Sequence, residues 1–206
     1  ELLARANAAG IRAAALSFPR YEQTQFSDLI GRYLRGEMGE IDQVPVRYAA
    51  LLYGGDRFES RDQLLELIAT HDLVILDRYV ASNIAYNAAK VPVDERSELI
   101  TWIEQLEYGQ FDLPRPDLTL LLATSTALAD QLVGQKAARS YTDDARDLHE
   151  ANRDFLSIVA DVYGSLAKAG GDRWLRVEPL DADGNLCPPA DIAATVWQHP
   201  SLAALG

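Results

Sequence analysis

Leu73-Val74-Ile75-Leu76-Asp77-Arg78-Tyr79 (LVILDRY) is the stretch on which the reading of this 206-residue chain turns. Four unbroken apolar residues with polar neighbours suit a short strand covered on both faces. Such a strand belongs to a parallel sheet, and parallel neighbours need crossover helices between them. The sequence supplies helical patterns on both sides: Pro45 to Thr70 upstream, interrupted at Gly54-Gly55, and Val80 to Lys90 and Asp94 to Tyr108 downstream. Working outward, Leu118–Ala123 (LTLLLA) reads as a second wholly apolar strand behind the breakers Pro114 and Pro116. Ala13–Phe18 (AAALSF), stopped by Pro19, and Trp174–Glu178 (WLRVE) read as two more. Glu1–Ala9, Tyr21–Gly36, Ser125–Val133, Asp147–Gly170 and Pro189–Gln198 carry helical spacing. The expected architecture is α/β: a doubly wound parallel sheet with helices on both faces, in one domain over 1–206.

Composition narrows the function. Nineteen Lys and Arg against 31 Asp and Glu leave a net charge of −12. Nucleic-acid polymers are bound by neutralising phosphates with Lys and Arg, so so acidic a chain is not expected to bind one. A small anion in a local basic pocket remains compatible. The single cysteine, Cys187, excludes an internal disulfide or a cysteine-built metal cluster. No apolar run approaches the ~20 residues of a membrane span and no signal-peptide pattern opens the chain. A cytoplasmic protein with no membrane partner is expected.

Ligands of open parallel sheets bind beyond the carboxyl ends of the strands. Arg20 and Tyr21 follow the first strand, and Asp77, Arg78 and Tyr79 follow the second. Two arginines at one sheet edge suit a phosphate, because each guanidinium offers a planar fork of donors. Asp77 stands where a carboxylate organises Mg²⁺ in nucleotide enzymes, and equally where one caps a helix or pairs with Arg78. Tyr53 and Arg57 are four apart and share a helix face, an aromatic plate beside a donor fork that suits a nucleobase. Packing of Tyr53 with a surface ion pair at Arg57 is the plainer alternative. Gly54-Gly55 implies a close approach to the backbone. Tyr79, Asn83 and Tyr86 share a second face, and the Asn83 amide could read the imide edge of a pyrimidine or join a polar helix start. Residues 134-146 form a polar segment with Lys136, Arg139 and Arg146, the composition of a lid over phosphates or of a solvated loop. His71, His149 and His199 show no metal-ligand spacing.

FPRY at Phe18–Tyr21, YGGDR at Tyr53–Arg57, DRYVASNIAY at Asp77–Tyr86 and ARDLHE at Ala145–Glu150, in this order and behind a basic lid, resemble bacterial thymidylate kinase. The resemblance implies a P-loop kinase-like fold, a homodimer, and transfer of the ATP γ-phosphoryl group to dTMP with Mg²⁺. It places Arg20, Tyr21 and Arg78 around the dTMP phosphate, with Arg78 also steadying the transferring group, and counts Phe18 among the substrate-binding residues. It places Tyr53 against thymine, Arg57 at its O4 and Asn83 at its N3–H. Ser82 stands in the same substrate-binding segment, and Tyr86 lies under the deoxyribose. Asp77 helps place Mg²⁺, Lys136 and Arg139 serve the ATP side from the lid, and Glu150 lies near the sugar and lid hinge. The rivals are a related deoxynucleoside kinase and a non-catalytic nucleotide-binding or dimerisation module.

One departure is plain. The family opens with a strand and a G-x-x-x-x-G-K-[ST] loop that cradles phosphates. No such motif occurs here: Gly31, Gly36 and Gly39 lack a following Lys-Ser/Thr, and Gly170-Gly171 leads into Asp172. The opening ELLARANAAG starts at Glu1 and reads as helix interior, so the loop and the central first strand are expected upstream, and these 206 residues alone are not expected to transfer phosphate. The strands at Leu73–Leu76 and Leu118–Leu122 should then not pair with each other, standing roughly 9–10 Å apart, two strand spacings.

Overall fold

The computed structural model describes residues 1–40, 43–123, 153–181 and 183–205. β1 (Ala13–Ser17) pairs in parallel with β2 (Leu73–Asp77), from Ala13 opposite Leu73 to Ser17 opposite Asp77. β3 (Thr119–Leu122) pairs in parallel with β4 (Trp174–Val177), from Thr119 opposite Trp174 to Leu122 opposite Val177. Among the described residues β2 and β3 share no ladder, as the sequence led us to expect. The expectation of strands covered on both faces needs correction. Residues 73–76 are only half-buried and Leu122 is 46% exposed. Among the described residues the strands form two parallel ladders, and solvent reaches the apolar runs at their edges.

The helices are α1 (Leu2–Ala8), α2 (Gln25–Leu34), α3 (Val46–Glu59), α4 (Arg61–Thr70), α5 (Val80–Ala88), α6 (Arg96–Glu104), α7 (Arg153–Gly170), α8 (Pro189–Trp197) and the short α9 (Pro200–Ala203). A π-helical turn, Gln105–Gln110, continues α6. Thr24 starts α2 by accepting a hydrogen bond from the Ser27 N–H at 3.0 Å. The buried face of α2, Ile30, Tyr33 and Leu34, packs on Ala49 and Leu52 of α3. The larger core joins Leu16 and Phe18 to Leu64, Val80, Ile84, Leu99, Ile103 and Leu113. Each large side chain buried there contributes about 1.5–3 kcal/mol. It clamps α4, α5 and α6 on the β1–β2 ladder and so fixes the carboxyl ends of both strands. At the opposite end Arg12 donates to Asp72 from Nε at 3.0 Å and Nη2 at 2.7 Å, which holds the Asp72 carboxyl below its usual range. Both side chains are exposed, so this pair marks the register rather than carrying stability.

The segment expected as one helix interrupted at Gly54-Gly55 breaks instead at Ser60, which ends α3 and begins α4. Ser60 Oγ donates back to the Asp56 carbonyl at 2.9 Å. Both glycines lie within α3, with side chains packed where a Cβ would be. A Cβ on Gly54 would lie 3.2 Å from Phe111 and 3.5 Å from Glu107, and one on Gly55 2.4 Å from the Phe26 ring. The close approach implied by the glycine pair is therefore the chain's own packing. Overpacking against Phe26 in Gly55→Ala should cost about 2–3 kcal/mol against the ~1 kcal/mol that alanine gains in helix propensity, a net loss of about 1–2 kcal/mol. Urea unfolding measures it, and an equally stable variant would contradict the packing argument. Among the described residues no helix is long and apolar enough to cross a membrane, and no three His, Cys, Asp or Glu side chains cluster as metal ligands.

Candidate functional site

The β1–β2 register sets residues 18–21 beside 77–79, and the Phe18 N–H donates to the Asp77 carbonyl at 2.9 Å. Phe18 is buried, and its bond to Pro19 is cis. Asp77 and Arg78 are exposed at the end of β2. Arg78 has φ +59°, the left-handed region that side chains other than glycine's seldom occupy. Residues held in such a conformation concentrate at functional sites. Its guanidinium lies 5.9 Å from the Tyr86 ring, which packs at 6.2 Å on Phe155 of α7. Tyr163 of α7 donates to Ser82 Oγ at 2.8 Å, and burial pushes the Tyr163 hydroxyl up to about 12. The cap of α5 is Tyr79 with no side-chain bond, so Asp77 is not that helix's capping carboxylate.

Arg20 sits across this rim, half-buried, its guanidinium donating to Gln23 and Gln63. Its backbone N–H donates to Asp56 at 3.0 Å, and Thr24 Oγ1 donates to the other Asp56 oxygen at 2.5 Å. Burial pushes the Asp56 carboxyl up in spite of these donors. Asp56, one turn before Ser60 on α3, thus ties the FPRY segment to that helix.

Behind the rim lies a buried polar network. Arg57 is 2% exposed and Glu107, on the π-helical turn, is fully buried. Arg57 donates from Nε to one Glu107 oxygen at 2.5 Å and from Nη2 to the other at 2.7 Å. Burial opposes the charge on Arg57, but the facing Glu107 carboxylate outweighs it and holds the guanidinium pKa above its ordinary value. The Arg57 guanidinium also lies 6.0 Å from both the Phe18 and Tyr79 rings. The Tyr79 hydroxyl donates to the Pro114 carbonyl at 3.0 Å, and burial raises its pKa. Asn83 Nδ2 donates to Glu107 at 2.6 Å and to the Ala50 carbonyl at 2.9 Å.

The fold therefore brings Arg57 and Asn83 together through Glu107, and Arg20, Asp77 and Arg78 to one strand edge. A surface ion pair at Arg57, the plainer expectation, is corrected: the pair is buried. Tyr53 and Tyr21 are half-buried against the α2–α3 cluster around Ile30 and Tyr33. Tyr79, Asn83 and Tyr86 share one helix face but divide their contacts between Arg57's side and Arg78's. Lys136, Arg139, Glu150 and the segment 134-146 lie outside the described residues. Glu107 escaped the sequence reading, although a signal existed. It falls four residues after Ile103 and eight after Leu99, a charge on an otherwise buried apolar stripe.

The sequence profile of the family described as thymidylate kinase matches residues 1–180. The thymidylate kinase of Mycobacterium tuberculosis H37Rv is 36% identical over 187 residues, covering 88% of this chain and 86% of that protein. The human thymidylate kinase is 30% identical over 120 residues, covering 58% of this chain and 50% of its own length. Among solved structures, the thymidylate kinase of Candida albicans superposes with a TM-score of 0.63 over 98% of this chain and 86% of its own, at 21% identity, which bears on the fold.

Proposed function

The chain belongs to the thymidylate kinase family, and from that premise we propose that its function is transfer of the γ-phosphoryl group of ATP to dTMP, giving dTDP for dTTP synthesis, these 206 residues supplying the acceptor side and, having no G-x-x-x-x-G-K-[ST] motif, not transferring phosphate by themselves. The observation that carries the reading is the arrangement at the β1 and β2 ends. Arg20, Asp77 and Arg78 form a charged rim in a chain of net charge −12, with Arg57 and Asn83 buried behind it. The arginines hold the dianionic phosphate and the buried pair meets the pyrimidine edge. Tyr53 and Phe18 flank the base, Tyr21 assists at the phosphate, and Ser82 and Tyr86 bound the sugar.

The chemistry asks little of a proton acceptor. The 5′-phosphate of dTMP is largely doubly ionised at neutral pH, its second pKa lying near about 6. One of its oxygens forms the new bond to the γ-phosphorus while the bond to the β,γ-bridging oxygen breaks, and that electron pair leaves with ADP. Catalysis is then positioning and charge neutralisation, the role this reading gives Arg78 beside the acceptor phosphate. Asp77, an exposed carboxylate at the strand end, fits the one-carboxylate, water-rich habit of Mg²⁺, which when bound would neutralise phosphate charge. Lys136 and Arg139 are assigned to the ATP side and Glu150 to the lid hinge, with 134-146 as the lid of a single domain. A homodimer working in the cytoplasm completes the reading.

The test is acceptor choice. dTMP should bind at least about tenfold more tightly than thymidine, the worth of one charge-assisted contact to phosphate. Calorimetry with both ligands measures it. Equal affinities would remove the phosphate rim from the reading and favour a nucleoside acceptor.

A further inference from the structure

The orientation of the Asn83 amide is set by groups of single polarity: the Ala50 carbonyl, which accepts from Nδ2 at 2.9 Å, and two charged side chains at the ends of one hydrogen-bonded chain. A carboxylate only accepts and an ammonium only donates, whereas an Asn amide can turn to do either. At one end, Glu107 takes two hydrogen bonds from Arg57 and one from Asn83, so the Asn83 amino group must face it. At the other end, Lys90 Nζ donates to Asn87 Oδ1 at 3.3 Å and to the Tyr33 hydroxyl at 2.9 Å. That turns the Asn87 amino group to Asn83, where it donates to Oδ1 at 2.7 Å and to the carbonyl at 3.0 Å. Asn83, Asn87, Glu107 and Tyr33 are all buried, so water is not on hand to satisfy a turned amide. Flipping Asn83 would set its oxygen against the Glu107 carboxylate and the Ala50 carbonyl, and its amino group against that of Asn87.

The consequence falls on the base. Among the described residues Asn83 Oδ1 accepts only the bond from Asn87, which leaves a second lone pair. An oxygen there accepts the N3–H of thymine, whereas cytosine carries no hydrogen at N3. We propose that Glu107 and Lys90 are positioning residues for pyrimidine discrimination: they lock Asn83 as an acceptor and so select dTMP over dCMP. Glu107 does the same for Arg57, holding the Nε–Nη2 edge of its guanidinium so that its remaining N–H groups are aimed as donors. Thymine O4 accepts such a donor, and the cytosine 4-amino group repels it. The inference rests on the reading of Arg57 and Asn83 as the base-contacting pair.

dTMP and dCMP share phosphate and deoxyribose, so the ratio of their affinities isolates the base and is insensitive to a uniform loss of structure. Calorimetry on the 206-residue chain would compare the parent with Glu107→Gln, Glu107→Asp and Lys90→Met, each checked for folding by circular dichroism. Glu107→Gln offers an amide that can turn its amino group to Asn83, and the dTMP:dCMP preference should fall by about tenfold or more. Glu107→Asp keeps an acceptor-only group and should retain the preference even if both ligands bind more weakly. Lys90→Met frees Asn87 from the far end and should lower the preference as well; it decides the matter if Glu107→Gln does not fold. An unchanged ratio in folded Glu107→Gln or Lys90→Met overturns the orientation argument. A parent chain that binds dCMP as well as dTMP overturns instead the base-reading assignment beneath it.

Discussion

Arg57→Ala should lower the folding stability by about 3–5 kcal/mol, because it strips the counter-charge from a fully buried carboxylate. That is a large share of the roughly 5–15 kcal/mol that holds a domain folded. Glu107 would keep only the Asn83 amide at 2.6 Å, against the three donors it now has. Chemical unfolding of the two proteins at one pH measures the difference. A loss below about 1 kcal/mol, the scale of an exposed pair, would mean that the ion pair is not sealed from water. The double variant Arg57→Met/Glu107→Leu separates stability from recognition. Replacing both charges by apolar groups of similar size removes the desolvation penalty along with the attraction, and should return much of the lost stability. It should still bind dTMP weakly, because no donor then meets thymine O4 and the Asn83 amide has lost its carboxylate partner.

The second large effect is expected at the rim. Arg78→Ala should weaken dTMP binding by about 1.5–3 kcal/mol, or roughly 10–150-fold, the range for a hydrogen bond to a charged group. Thymidine affinity should stay put, since it brings no phosphate to the site. The same substitution should shift stability by less than about 0.5 kcal/mol, because Arg78 is exposed and alanine at φ +59° carries the same Cβ strain as arginine. Calorimetry with both ligands and an unfolding curve check the three statements together. Equal losses for dTMP and thymidine would show that Arg78 acts on the sugar site through Tyr86 rather than on phosphate.

These two arginines were legible in the sequence to different depths. Arg78 follows an apolar strand, and ligand sites of open parallel sheets lie beyond strand ends, so its place followed from local pattern and a topological rule. Arg57 was legible only as a donor on a helix face. Its partner stands 50 residues away on a π-helical turn, a separation that helix and strand periods do not encode. The glycine pair shows the same limit: composition demanded a close approach at Gly54 and Gly55, but Phe26, Phe111 and Glu107 come from other elements.

The alternation of apolar strands and amphipathic helices by itself determined the α/β class, the parallel pairing and the edge on which the arginines stand. Those features follow from side-chain period and chain chirality, which act over a few residues. Tertiary structure alone decided the break at Ser60, the left-handed turn at Arg78, and the buried chain from Arg57 through Glu107, Asn83 and Asn87 to Lys90. An amide has no orientation in a sequence. It acquires one when packing removes water and leaves a carboxylate on one side and an ammonium on the other, where only one arrangement of donors satisfies both.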